Sequence, residues 1–318
     1  MGKQRIDIKC NDYEKNILNL EKKYFEIIYN IISHEDFFKD LALIEKEISD
    51  NYSKFDGLWN LKNKIKIPAE RVVRHHLYVK MVERIKGIFP SPLSSDFGIR
   101  TDDAVVCIDI KTIDTNGNSG DLRETAVEKN QTSFDNKNYP YIHIPANLNA
   151  IDDYSRLPVL TYIVKIIYTD NGYSFKLSRS QYPSMVLVNI PNGKISQLFD
   201  YNIVANCKTY DYYNERNDGK DFAPIFLTEQ EATNIEMLDA KCLSLGLIKI
   251  NDFTKPTYYS AKTKTVWWKT SVANKPAIAA VKSGSSVRFS NEILKERYDA
   301  NGKRWDGYVE WNIPKIEI

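Results

Sequence analysis

The chain has 318 residues, 42% of them hydrophobic and 27% charged, with a formal net charge of +2. That length can bury a sizeable core, in one large domain or two smaller ones, and the composition is that of an ordinary soluble globular protein. No apolar run is long enough to cross a membrane, the N-terminus "MGKQRIDIKCND" has no apolar signal core, and Cys10, Cys107, Cys207 and Cys242 form no CxxC pair, so a cytoplasmic protein with reduced thiols is expected, without a disulfide frame or a zinc site.

Tyr13, Ile17, Leu20, Tyr24, Ile27 and Ile31 fall at spacings of four and three and predict a first helix. Ser33 with Asp36 predicts the cap of a second, carrying Phe37, Leu41, Ile44 and Ile48. The seam is too short for a coiled coil, so these helices are expected on the protein's own core, with a dimer interface as the second option. "KIPAERVVRHHLYVKMVERIKGIFP" predicts one helix from about Pro68 to Ile88, with Pro68 in its first turn and Gly87 and Pro90 at its end. Adjacent helical residues such as His75 and His76 point about 100° apart and are not expected to share a metal.

"SDFGIRTDDAVVCIDIKT" predicts a hairpin: strand Asp96–Arg100, turn Thr101–Asp103, and a buried β-branched strand Ala104–Thr112. The polar stretch that follows reads as a loop or arm. "LPVLTYIVKIIYTD", an Asn171-Gly172 turn and "YSFKLSRS" predict a second hairpin, and "SMVLVNIP" a further strand. Thr228–Leu245 reads as a helix capped by Thr228 and Glu231, and Ser290–Tyr298 as a last helix among aromatic, strand-like pieces. The fold class is therefore mixed α/β (α+β), divided into a helical N-terminal region (1–66), a core (67–226) and a C-terminal region (227–318). Between Phe253 and Asn291 stand seven basic residues and no acid, interleaved with Tyr258, Tyr259, Trp267, Trp268 and Phe289. Such a stretch suits a polyanion; the plainer alternative is a solvated surface over core aromatics.

"IDIK" occurs twice, at Ile6–Lys9 and Ile108–Lys111, and Asp-x-Lys recurs at Asp135–Lys137, Asp218–Lys220 and Asp239–Lys241. The string alone carries no information, so context decides. Phosphodiester hydrolysis uses Mg²⁺ to polarise the scissile phosphate and to acidify an attacking water. Mg²⁺ takes oxygen ligands and one or two protein carboxylates, so a second acid must converge on the first. On a strand, a lysine two residues after an Asp shares its face, where it can orient the water and offset phosphate charge, while the spacer packs on the other side. Asp7 has too little chain before it to supply partners. Asp135 and Asp218 lie in polar loops, and Asp239 in a predicted helix, where i and i+2 diverge. Asp109 meets the requirement: Ile110 is its apolar spacer, Asp96 heads the paired strand thirteen residues earlier, and Glu70 stands near the start of the preceding helix.

A helix bearing Glu, then "SDFGI", a turn and "CIDIKT" resembles the PD-(D/E)xK nuclease superfamily, and within it the type II restriction endonucleases of the EcoRV kind. Asp96-Phe97 matches the first element of that pattern and Asp109-Ile110-Lys111-Thr112 the second. "QTSF" at Gln131–Phe134 is similar to a Thr-Ser-Phe segment that follows the site. Ser95 stands where the family often has proline. The resemblance covers roughly Ala69 to Phe134. It implies a restriction-endonuclease-like core with Asp96, Asp109 and the Ile110 backbone carbonyl as Mg²⁺ ligands (Mn²⁺ expected to substitute). It implies Lys111 as the residue that positions or deprotonates the water, Glu70 as an accessory carboxylate with Glu83 as a weaker one, and 5′-phosphate and 3′-hydroxyl products.

It also implies double-stranded DNA as partner, a homodimer to cut a palindrome, and a cognate methyltransferase acting on the same site. Lys262, Lys264, Lys269, Lys282 and Arg288 are then candidates for phosphate contacts, and Thr112, Asn116, Asn118, Gln131, Thr132 and Ser133 for base reading. The alternatives are a modification-dependent or structure-specific nuclease of the same fold, with Trp267, Trp268, Trp305 and Trp311 available for an aromatic cage, or a non-catalytic DNA-binding relative. The chain carries no P-loop, dinucleotide-binding, nucleophile-elbow or zincin motif.

Overall fold

The computed structural model of the chain describes residues 5–59, 64–89, 95–116, 120–122, 124–128, 156–195, 198–199, 204–206, 210–212, 222–250, 256–283 and 286–316. The chain divides into two compact units: residues 1–134, 145–205 and 288–318 form the first, and residues 135–144 and 206–287 the second. This differs from the three consecutive blocks the composition suggests. The N-terminal helices pack on the central sheet of the first unit, and residues 288–318 return to that unit after the chain has built the second.

The first unit is a mixed α+β fold. Helix α1 (Asp12–Ile32) starts from Asn11, whose side chain accepts from the Glu14 N–H while Glu14 reaches back to Asn11, a capping box that satisfies two otherwise unpaired backbone donors. Of the predicted row, Ile17, Leu20 and Tyr24 are buried; Tyr13 is exposed, and the buried face continues through Ile28 and Ile32, with Ile27 and Ile31 only partly buried. Helix α2 (Glu35–Asp50) is capped by His34, whose ring accepts from the Asp36 N–H at 3.3 Å; Ser33 instead closes α1. A short helix α3 (Tyr52–Trp59) precedes α4 (Lys66–Met81). The helix expected to run to Ile88 stops at Met81, passes through a 3-10 turn at Val82–Arg84 and becomes strand β1 (Gly87–Phe89). Pairing with the next strand gives the backbone of Gly87–Phe89 partners that helix could no longer supply past Gly87.

Strands β2 (Phe97–Arg100) and β3 (Val105–Asp114) form the predicted antiparallel hairpin. A short strand β4 (Glu124–Glu128) follows. Then come β5 (Val159–Asp170) and β6 (Phe175–Leu177), joined through Gly172 at φ +85, and β7 (Met185–Ile190). The central sheet runs β1-β2-β3-β5-β7 and ends on Tyr308–Trp311, with β6 paired to β5. Among the described strands of this sheet, only β3 and β5 pair in parallel, over the whole length of β3. One face of the sheet, made by Val106, Ile108, Ile110, Leu160, Tyr162, Val164 and Leu187, shares a core with α1, α2 and α4. The other face carries Cys107, Asp109, Lys111, Ile163, Lys165 and Val188 by strand alternation.

The second unit is an antiparallel sheet in the order Ile225–Phe226, Lys275–Ser283, Thr265–Val272, Thr257–Ser260, Leu247–Ile250, with Tyr210–Tyr212 pairing the end of Lys275–Ser283 on the edge that Ile225–Phe226 also pairs. The helix expected over Thr228–Leu245 is two, Glu229–Thr233 and Ile235–Ser244. Thr228 and Glu231 cap the first as expected, and Asn234 breaks the run because its side chain accepts from the Glu236 and Met237 N–H groups and starts the second. Trp267, Tyr258, Leu238 and Ile278 form its core. Back in the first unit, the last predicted helix shrinks to Asn291–Leu294, because Arg297–Tyr298 pairs as a strand with Arg304–Trp305.

Candidate active site

Strand β3 places the site. Ile110 is buried among the helices, so Asp109 and Lys111 must face the opposite side. Asp109 is buried, 3% exposed, and its Oδ2 lies 2.7 Å from Lys111 Nζ. Lys111 is half-buried. Asp96 precedes β2 and lies beside Asp109 in the hairpin; its Oδ2 accepts the Ile110 N–H at 2.8 Å, so its side chain continues the ladder where the strand has ended. Ser95, at the position where proline is common in the resembling family, accepts the Ile108 N–H at 3.1 Å. A proline there would leave that amide without this partner.

Burial raises the Asp109 carboxyl, Lys111 opposes this and Asp96 reinforces it, and the result is a pKa of about 7. Two carboxylates are thus brought together at the edge of a core, and a single lysine offsets their charge. Such a pair calls for a cation. The hard oxygen donors of two carboxylates fit Mg²⁺, which is content with one or two protein carboxylates. Among the described residues no group of three or more His, Cys, Asp and Glu side chains is placed to hold a metal.

Glu70 stands on a neighbouring element, and its charge couples to Asp96 and Lys111 of the site. It is half-buried on α4, and its pKa is raised by burial and then by Asp96, while Lys66, Arg74 and Lys111 pull it down. It feels the site's charges from a helix packed on the other face of the sheet. Glu83 is exposed in the 3-10 turn. His76 is buried against Phe37, with Nε2 2.8 Å from Asp40, and His75 is exposed: the pair serves packing. The first "IDIK" lies in an extended segment; Asp7 and Lys9 are exposed, and Ile6 and Ile8 pack beside Ile17 and Tyr298.

Of the candidate DNA contacts, Thr112 is half-buried on β3. Asn116 is engaged in the turn that ends β3: its N–H donates to Asp114 and its side-chain amide to the Asp170 carbonyl at 3.0 Å. Asn118, Gln131, Thr132 and Ser133 lie outside the described residues. Lys262 and Lys264 are exposed between two strands of the second unit, whereas Lys269 donates to the Ala232 carbonyl. Lys282 and Arg288 lie in strands Lys275–Ser283 and Ser286–Ser290. Trp267, Trp268 and Trp305 are buried, and Trp311 rests edge-on against Tyr29, so they form no open cage.

One polar residue of this face had no signal in the sequence. Lys165 on β5 is the parallel partner of Lys111 and is 1% exposed. Its ammonium donates to the carbonyls of Asp121 (2.7 Å) and Glu124 (3.4 Å) and lies 5.7 Å from the centre of the Tyr308 ring. Burial lowers its pKa to about 8, with Asp121 and Glu310 opposing and Lys111 adding to the fall. A lysine in an apolar strand reads as an edge or surface residue until the register with β3 is known.

The family model described as type II restriction enzyme MwoI, N-terminal domain, matches residues 13–172. No curated protein matches the chain. Among solved structures, the chain is similar to the restriction endonuclease BglI bound to its DNA recognition sequence, at 14% identity and a TM-score of 0.42, over 66% of this chain and 84% of that one.

Proposed function

Because the chain belongs to the family of the type II restriction enzyme MwoI N-terminal domain, we propose that it is a sequence-specific, Mg²⁺-dependent endonuclease of double-stranded DNA in a restriction–modification system. The observation that carries this reading is the pairing of Asp96 with buried Asp109 across one hairpin, with Lys111 2.7 Å from Asp109. We read that arrangement as a PD-(D/E)xK site; the likeness to the EcoRV group rests on the motif alone.

Asp96, Asp109 and the Ile110 carbonyl would hold the ion, and Mn²⁺ would suit the same oxygens. When bound, it polarises the scissile phosphate and acidifies a water. The chain does the rest. The Ile110 N–H fixes the Asp96 carboxylate in place. The buried wall behind Asp109 keeps its carboxylate from swinging to solvent. Lys111 would, as an ammonium, orient the attacking water and offset the charge building on the phosphate, or, once it has given up its proton to solvent, would take the water's proton as a neutral amine. The products are a 5′-phosphate and a 3′-hydroxyl. Cutting both strands of a symmetric sequence calls for two sites related by a two-fold axis, hence a homodimer, and the host's own DNA needs a methyltransferase that marks the same sequence. Exposed Lys262 and Lys264 suit phosphate contacts. The buried tryptophans disfavour a sensor of methylated bases.

The test is digestion of unmethylated phage DNA with Mg²⁺ or with EDTA. Discrete fragments with one common sequence at their ends, seen only with Mg²⁺, are expected. DNA left intact under every metal condition would overturn the proposal.

A further inference from the structure

The catalytic face of the central sheet holds a second lysine that the chemistry above does not use. Lys165 is the register partner of Lys111 on the parallel strand, so both side chains rise from the same face. Among the described residues no carboxylate lies within ion-pair distance of its ammonium. A buried ammonium is costly unless its donors are satisfied, and charge-assisted hydrogen bonds to carbonyls are the means available here. Those carbonyls belong to Asp121, in the 3-10 turn Gly120–Leu122, and to Glu124, the first residue of β4. Tyr308, on the far strand of the same sheet, closes the other side. The Asp121 and Glu124 carbonyls are thus held one strand away from Lys111, by a lysine that is 1% exposed.

Resting on the nuclease reading, we infer that Lys165 is a positioning residue: it clamps the Asp121 and Glu124 carbonyls beside the strand that carries Lys111, and so sets where the scissile phosphate enters and how Lys111 meets it. A neutral side chain of similar length fills the same volume but cannot hold two carbonyls at once. The clamp then loosens, while the metal ligands and the exposed DNA-contacting surface stay as they were.

The test pairs two readouts on Lys165→Met and Lys165→Arg. Amide hydrogen exchange of peptides spanning Asp121–Glu128 is expected to quicken at least tenfold in Lys165→Met, with Lys165→Arg close to wild type. In cleavage assays with Mg²⁺, Lys165→Met is expected to lower kcat at least tenfold with KM within about twofold, and Lys165→Arg to recover most of kcat. Unchanged exchange in Lys165→Met would overturn the clamp. An unchanged kcat, or a loss carried by KM instead, would overturn its role in positioning. If Lys165→Met does not fold, Lys165→Leu, which has no donor, decides by the same readouts. Absence of cleavage by the wild type would sink the nuclease reading, and the exchange comparison would still decide the clamp.

Discussion

Asp109, Ile110 and Lys111 show how three residues divide labour on one strand. The period of two sends Ile110 into the helical core and holds Asp109 and Lys111 on the other face. That alternation was legible in the sequence, as was the pairing of Asp96 with Asp109, because a short hairpin leaves few registers. Lys165 was not legible: its place beside Lys111 depends on a parallel pairing between strands separated by a long connection. A second buried ion pair seats the helix that carries Glu70. Lys64, just before α4, lies 2.8 Å from Asp170 at the end of β5, and Tyr52 donates to the same carboxylate. Burial alone would raise the Asp170 carboxyl, but hydrogen bonds from Lys64, Tyr52 and the Gly172 N–H outweigh it and hold it below its ordinary value. A depressed folded pKa stabilises the native state above the unfolded value, about 3.9, and that contribution is lost as pH falls through the folded one. Thermal melts are therefore expected to show a steeper loss of Tm below about pH 4 in wild type than in Asp170→Asn. Parallel acid limbs would contradict this.

Among the elements, α4 is legible in kind but not in length, since nothing local marks the change from Met81 to a paired strand at Gly87. The same holds for Ser290–Tyr298, where tertiary pairing of Arg297–Tyr298 overrides a weak helical pattern. Helix α4 also carries a feature that composition hid. Arg71, next to Glu70, and Arg74, one turn beyond it, are exposed with no ion-pair partner among the described residues, and Arg74 and Lys66 both act on the Glu70 charge. On the nuclease reading, their exposed charge suits phosphate contacts. The double substitution Arg71→Ala/Arg74→Ala is expected to weaken binding to all sequences alike and to lower the salt-dependence slope of log K by about 2. An unchanged slope in a fluorescence-anisotropy titration would remove them from the interface.

At the scale of the whole molecule, the chain builds most of the first unit, leaves to form the second, and returns. The acid-free stretch 253–291 ends close to that return, but composition does not tell where the returning chain packs. What fixes it is buried polar chemistry: Arg297 pairs with Glu21 of α1, both fully buried, and its Nε donates to Asn189 at 3.0 Å. Glu21 also accepts the Asn192 N–H, and its backbone carbonyl takes the Tyr162 hydroxyl. Such a network spans residues far apart in the sequence, so no local pattern announces it. Removing one partner strands the other charge in the core: Arg297→Met is expected to cost about 3–5 kcal/mol in urea unfolding. A cost under about 1 kcal/mol would show that the network is not what holds the returning segment.

The central claim is that the second "IDIK", with Asp96, carries the chemistry and the first does not. The most direct test sets wild type, Asp109→Ala and Asp7→Ala side by side on unmethylated DNA with Mg²⁺, with folding checked by circular dichroism. Asp7→Ala is expected to give the wild-type fragments, and folded Asp109→Ala to leave the DNA whole. Cleavage by Asp109→Ala at the wild-type rate would contradict the account.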